Sequence, residues 1–467
     1  MSAPMLWVVI PLVSLIPLLF LRKRKRIVAL TAAGFALLLF LLAFFVPIQN
    51  GSSGGIPFSL NPSLSILGRE LRIHAEDKML VSYFFLVAAI FIMLAFILGL
   101  DENFSLYCLF SSALAVAAFA VDPFIYASLI IGFIVLCSIP VFVSKVEIRR
   151  NIKGLFRFIS YQLLSIPFLL LAGWILAGGE IAPVSRPELM QASIVLGVGF
   201  ALMLALFPFH IWMPLLAEES PTIHFGFVSH LVFRIGFFLL LKFLNNFAWM
   251  REFSEIYSAF RIIGTVMVVI SGMWSFFSSD LKRIMAYFLL LQNGLLLIAM
   301  SGIPVQKVNL FAILLLIDSL AIIALSWSMQ VLKSTTNPLT LEQMIGLFHQ
   351  YPLTCLTLVG GLLTTWGFPL FAGFAPILIV TLSINTFSLS NVLLILLGLF
   401  FAAMTSFRII YRIFSPALDN QKMNKEKLSW KIISIAIFSL ILLIGIFPNL
   451  ASIYANQIIQ PFEMLLK

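Results

Sequence analysis

The sequence predicts an all-α polytopic membrane protein of about 14 transmembrane helices, and three observations carry that reading. Of its 467 residues, 61% are hydrophobic and only 10% are charged, where a soluble domain has roughly 45–50% and about 25%. Mean hydropathy is +1.10, and no compact soluble fold has the interior to hide so much apolar surface. Apolar runs of about 20 residues, the length of a helix across a bilayer, recur from end to end. The 47 phenylalanines suit a lipid-facing surface. Lipid is the solvent.

Taken in order, the spans fall at 5–21, 27–47, 79–100, 104–121, 124–144, 155–178 and 189–209, then 222–247, 256–277, 284–302, 308–332, 353–383, 391–414 and 430–448. The first is followed at once by Arg22-Lys-Arg-Lys-Arg26 rather than a small-residue cleavage site, so no cleavable signal is read. Region 1–103 holds three spans and an external loop, 48–78, that opens on Gly51-Ser-Ser-Gly-Gly55. Regions 104–248 and 249–414 hold five spans each. Five is odd, so two successive units have opposite topology, the layout of an inverted repeat. Region 415–467 adds one helix and a weakly amphipathic tail with Ile458, Ile459, Phe462, Leu465 and Leu466, expected at the membrane interface.

Two spans are expected to be discontinuous. One carries Phe207-Pro-Phe-His-Ile-Trp-Met-Pro214 and the other Gly367-Phe-Pro-Leu-Phe-Ala-Gly373. Pro208, Pro214 and Pro369 each remove a backbone donor, and Gly367 and Gly373 loosen the second segment. The plain alternative is a pair of packing kinks.

The net charge of +10 reads as topology rather than as a nucleic-acid surface. With the N-terminus outside, the loops joining odd to even spans hold 19 of the 29 basic residues, so both termini are expected on the external face, in the manner of a bacterial inner-membrane protein. Cys108, Cys137 and Cys355 lie far apart in apolar runs and form no disulfide framework or metal motif. No cofactor or metal site is read.

Ionisable residues inside a bilayer are costly and mark pathways. His210, His224, His230, Arg234, Lys242 and Asp318 are the short list, with Glu218, Glu219, Asp280, Lys282 and Arg283 at cytoplasmic ends. His230 and Arg234 stand four apart, on one helix face. Histidine can pass a proton onward. Arginine cannot, so Arg234 tunes its neighbours or pairs with an acid. Asp318 in Leu314-Leu-Leu-Ile-Asp-Ser-Leu320 is a natural proton carrier or a neutral structural acid. Lys242, near a span end, is expected to snorkel to the interface.

Three motifs carry a family resemblance. Phe207-Pro-Phe-His-Ile-Trp-Met-Pro-Leu-Leu-Ala-Glu-Glu-Ser-Pro-Thr222 resembles the signature of the antiporter-like subunits of respiratory complex I. That family includes Mrp-type sodium/proton antiporter subunits and membrane subunits of hydrogenase and inorganic-carbon uptake complexes. Asp280-Leu-Lys-Arg-Ile-Met-Ala-Tyr287 and Gly367-Phe-Pro-Leu-Phe-Ala-Gly-Phe374 are similar to two more of its segments. The resemblance implies proton half-channels joined by a hydrophilic axis, driven by partner subunits, with His210 and Glu219 on motif positions and Asp280, Lys282 and Arg283 in the loop motif. The usual axis is depleted here: Phe124–Ile131 lacks the fifth-span glutamate, Met203 replaces a lysine, and Arg234 replaces another. The eleventh span usually offers histidine and lysine, whereas here its only ionisable residue is Asp318, and Ala375–Ile379 supplies no ionisable group.

The expected function is therefore a proton-translocating subunit of a complex I-like or Mrp-like assembly, with His210, His230, Asp318 and Glu219 transferring protons and Arg234 tuning them. Its partners are other membrane subunits, the lipid bilayer and protons, with sodium as the other candidate ion. A chain ending at 467 is similar to the family's shorter members, without the long lateral helix. The competing reading keeps the fold with a degenerate axis as a docking scaffold, for example in an inorganic-carbon uptake or hydrogenase complex. An autonomous exporter would need a larger polar cavity than these sparse charges suggest.

Overall fold

The computed structural model describes residues 1–48, 60–66, 68–100, 102–143, 152–177, 186–303, 308–333, 339–384, 389–416 and 426–466. Residues 51–55 of the external loop and the basic residues Lys145, Arg149, Arg150, Lys422 and Lys425 lie outside them. Helix dominates because, in hydrocarbon, each segment has to satisfy its own backbone donors and acceptors. Among the described residues, eleven helices are long and apolar enough to cross a bilayer, and four shorter apolar helices accompany them.

Two compact units emerge. The first is Met1–His210 with Phe227–Asn246 and Gln460–Glu463. It contains α1 (Ile10–Phe20), α2 (Lys25–Phe45), α3 (Lys78–Ile97), α4 (Glu102–Ala120), α5 (Ala127–Cys137), α6 (Ile139–Val143), α7 (Lys153–Ala177) and α8 (Arg186–Met203). Neighbours in sequence pack on one another: α2 on α3, α3 on α4, α4 on α5 and α7 on α8. A small antiparallel sheet of β1 (Ser63–Ile66), β2 (Arg69–Arg72) and β3 (Val121–Asp122) ties the stretch before α3 to the end of α4, in register Ser63 to Arg72 and Glu70 to Asp122. Arg72 bridges its two acids there, Glu70 at 2.6 Å and Asp122 at 3.3 Å.

The second unit is Ile211–Gly226 with Phe247–Ile459 and Met464–Lys467. Between them α9 (Trp212–Glu219) belongs to this unit, while α10 (Thr222–Asn246) starts in it and contributes its length from Phe227 to the first. The second unit continues with α11 (Ala248–Glu252), α12 (Ser254–Phe277), α13 (Leu281–Ser301), α14 (Asn309–Lys333), α15 (Pro352–Trp366), α16 (Phe374–Ile384), α17 (Leu389–Phe414), α18 (Leu428–Ile446) and α19 (Asn449–Ile458), before a last turn, α20 (Glu463–Leu466). Helix α12 crosses α13 where Gly264 and Gly294 face each other's carbonyl oxygens. A Cβ on Gly264 would stand 2.7 Å from Gly294 O, so only a hydrogen side chain allows so close a crossing.

The apolar side chains of the C-terminal tail pack against protein. Ile458 and Ile459 are fully buried, and Phe462 and Leu465 nearly so. The Phe462 ring lies 6.1 Å from that of Phe119 and 6.3 Å from that of Phe238, within the first unit. Aromatic neighbours hold the ring, so this face of the tail is used for packing.

Candidate functional site

Both breaks interrupt otherwise regular helices. At the first, α8 ends at Met203, Ala205 turns left-handed at φ 52°, and a 3₁₀ turn over Phe209–Ile211 leads into α9. Pro214 then sits in the first turn of α9, where a missing N–H breaks no intrahelical bond. At the second, Gly367 closes α15 at φ 84°, Leu370 follows at φ 73°, and α16 begins at Phe374. Among the described residues, Ala205 and Leu370 are the non-glycine residues with positive φ. A left-handed side chain costs about 1–2 kcal/mol. Both strained positions lie in the breaks that carry Pro208 and Pro369, as backbone strain tends to gather at functional sites.

The second unit joins the first motif to the loop motif. Asp280 caps α13, its carboxylate accepting from the N–H of Lys282 at 2.8 Å and of Arg283 at 3.2 Å. This aims the next side chains at the end of α9. Lys282 Nζ donates to Glu218 O at 2.7 Å and Ser220 O at 2.9 Å, while the Arg283 guanidinium clasps Glu218 Oε2 at 2.9 and 2.6 Å. A cation on the last carbonyls of a helix also meets the negative end of its dipole. Thr222, which opens α10, is received by Gln330, whose Oε1 accepts from its N–H and its hydroxyl at 3.0 Å each. Glu219 is half-buried beside this junction.

In the first unit, His230 and Arg234 are both 1% exposed. Arg234 Nε lies 3.3 Å from His230 Nδ1, and Tyr83 Oη lies 2.9 Å from His230 Nε2. A guanidinium only donates, so Nδ1 must be the accepting nitrogen and Nε2 must carry the hydrogen given to Tyr83. The geometry thus fixes a neutral tautomer. His230 gains a proton at Nδ1 only when the Arg234 bond opens.

Lys242 is held by protein groups: its Nζ donates to Phe119 O, near the end of α4, and sits 4.2 Å from the centre of the Phe119 ring, a cation–π distance.

Asp318 lies near the middle of α14, 3% exposed. It lines a small cavity together with Gln292 of α13 and Thr364 and Thr365 of α15. The His210 ring faces that of Phe207, centroids 5.7 Å apart, and its Nδ1 is buried without a hydrogen-bond partner among the described residues.

Reasoning from sequence missed Tyr83, Gln292, Thr364 and Thr365. An amide pair, Gln292-Asn293, in the middle of an apolar span was the available signal; nothing marked Tyr83. It also passed over Glu426, buried just before α18, which accepts from the Thr354 N–H at 3.1 Å and its hydroxyl at 2.5 Å, as an acid at the N-terminus of α15 should.

The family described as "NADH:quinone oxidoreductase/Mrp antiporter, TM" matches residues 125–405, more than half of the chain. This chain belongs to that family. Among curated relatives it is 26% identical over 286 residues to NADH-quinone oxidoreductase subunit N of Francisella tularensis subsp. holarctica, covering 59% of this chain and 57% of the relative. It is 24% identical over 323 residues to NADH-ubiquinone oxidoreductase chain 4 of Chondrus crispus, covering 64% and 63%. The alignments with these two relatives and with NADH-quinone oxidoreductase subunit N of Deinococcus radiodurans span between 37% and 63% of the relatives' own lengths. Among solved structures, a chain of the Mrp complex from Dietzia sp. DQ12-45-1b superposes with a TM-score of 0.82 at 13% identity, over 100% of this chain and 99% of that one. A chain of an archaeal membrane-bound sulfane sulfur reductase reaches 0.80 at 18%, over 100% and 98%. These likenesses establish a shared fold, that of an integral membrane protein.

Met203 is fully buried, and its carbonyl receives Gln162 Nε2 at 2.9 Å. Arg234 holds His230 through its Nε, 3.3 Å from His230 Nδ1.

Proposed function

We propose that this chain is a proton-translocating, antiporter-like membrane subunit of a multisubunit complex of the NADH:quinone oxidoreductase or Mrp type, in which partner subunits supply the energy. The observation that carries the reading is Asp318: an acid 3% exposed near the middle of a membrane-length helix, beside a broken one. Burial of that kind is expensive and is kept where it serves transfer. His230, with Tyr83 as its hydrogen-bond neighbour and Arg234 as the group that sets its tautomer, is the corresponding element of the first unit. His210 and Glu219 extend the route at the first break, while Asp280, Lys282 and Arg283 brace it. Regions 104–248 and 249–414 are read as inverted repeats. The basic-residue bias supports both termini on the external face, in what we read as a bacterial inner membrane.

The test is proton flux in vesicles holding the purified complex, followed with a pH-sensitive dye. Asp318→Asn, His230→Ala and His210→Ala should each slow it, since a path needs groups that exchange protons within hydrogen-bond reach, directly or through water. Undiminished flux in all three would refute the route.

A further inference from the structure

Glu426 stands just ahead of α18, 6% exposed, against the first turn of α15. Helix α15 opens at Pro352 with no side-chain cap from Tyr351, so the Thr354 N–H is one of its orphan donors. Glu426 Oε1 accepts that N–H at 3.1 Å and the Thr354 hydroxyl at 2.5 Å. Capping therefore occupies one oxygen. Oε2 is buried and accepts no hydrogen bond. Among the described residues no ion pair includes Glu426, and its neighbour Lys427 lies over the Trp430 ring instead, 4.8 Å from the centre.

A cap needs one acceptor, which a neutral amide or hydroxyl supplies without burying a charge. An ionised carboxylate whose second oxygen is buried and unbonded is more expensive, because that oxygen has left water without gaining a partner. The charge is removed when Oε2 carries a proton. Oε1 then still accepts from both Thr354 donors, so the group can alternate between acid and carboxylate while the cap stays in place. Loading takes one proton from a hydronium and leaves water; release to a water reverses the step.

Hydroxyls continue from this point along α15. Ser434 Oγ stands 3.5 Å from Thr354 Oγ1, and the Thr357 hydroxyl donates to Ser434 O at 3.0 Å. Thr354, Thr357, Gly361, Thr364 and Thr365 recur at helical spacing on one edge of α15, and the four threonines are all buried. From Thr354 to Thr364 the helix rises about 15 Å. Thr364 and Thr365 line the cavity that also holds Asp318. One buried polar edge thus has an acid at either end.

We propose that Glu426 is a proton-exchanging residue of this chain, loaded at Oε2, at the end of α15 opposite the second break. The inference rests on the reading of the chain as proton-translocating, and it gives that path a second acid in the second unit.

The experiment is dye-followed proton flux in vesicles holding the purified complex, with Glu426→Gln assayed beside Asp318→Asn. Glutamine keeps the shape and an oxygen for both Thr354 donors, so the unfolding midpoint should stay at the wild-type value. Flux should fall roughly tenfold or more, because an amide does not exchange protons as a carboxyl does. Wild-type flux in Glu426→Gln with slow flux in Asp318→Asn overturns this inference and leaves the proposed function standing. Slow flux in Glu426→Gln with wild-type flux in the Asp318, His230 and His210 variants sinks that route and leaves Glu426 standing. A wild type without flux overturns both. If Glu426→Gln fails to assemble or loses stability, Glu426→Asp and Glu426→Asn replace it. Both are shortened equally and differ in the group that exchanges the proton, so Glu426→Asp should conduct roughly tenfold faster. Equal rates in that pair overturn the inference.

Discussion

Lys282→Met and Arg283→Met make the sharpest comparison, because the two side chains are adjacent and both reach the end of α9. Lys282 is 6% exposed and makes two charged hydrogen bonds, to Glu218 O at 2.7 Å and to Ser220 O at 2.9 Å. A hydrogen bond to a charged group is worth roughly 1.5–3 kcal/mol, and losing the donor leaves carbonyls with no replacement from solvent. Methionine keeps most of the packed stem and relieves the desolvation of a buried cation, which offsets part of the loss. The expected net cost is about 2–4 kcal/mol. Arg283 makes the more conspicuous contact, a forked ion pair to Glu218, yet the two side chains are 45% and 44% exposed. Solvent screening reduces such a pair to about 0.2–1 kcal/mol. Equilibrium unfolding of the full chain in mixed micelles, followed by tryptophan fluorescence, should therefore rank Lys282→Met well below Arg283→Met in stability. The opposite ranking, or equal losses, would refute the argument that capped carbonyls rather than the ion pair hold α9 on α13.

Asp77, just ahead of α3, has its carboxyl pushed up to about 6 from 3.8 by burial, against the opposing pull of the His74 N–H and the Lys242 charge. The folded state then holds its proton more tightly than the unfolded one, so the stabilisation is full below 3.8 and is lost as pH rises through about 6; Asp77→Asn should flatten that pH profile and gain up to ~3 kcal/mol at pH 8, read from unfolding midpoints between pH 4 and 8. Tyr83→Phe strands the His230 Nε2–H in a buried site, with an expected cost of about 1–3 kcal/mol and slower proton flux in vesicles. Gly373→Ala drives a Cβ into Thr364 O at the second break and should cost about 1–3 kcal/mol. Gly197→Ala, within α8 and with open space around it, should instead gain roughly 0.5–1 kcal/mol on the same unfolding assay.

The sequence by itself determined the solvent, the helical class and the places where helices stop. Hydropathy is a one-dimensional quantity summed over about 20 residues, and a bilayer imposes that length on every span. Pro208, Pro369 and Gly367 act through the local backbone, so the breaks were legible in the same way. The family motifs were legible because they too are short and contiguous. Partner choice was not. Tyr83 meets His230 from 147 residues away and Lys282 meets Glu218 from 64. Gln292, Asp318 and Thr365 arrive at one cavity on three helices. Inside a membrane nearly every face of a helix is apolar, so periodicity does not tell which face meets protein and which meets lipid. The tail shows the consequence: Phe462 has the composition of an interfacial residue and the surroundings of a core one. Only the packing of helices decided which polar atoms face each other, and with that which charge each one can hold.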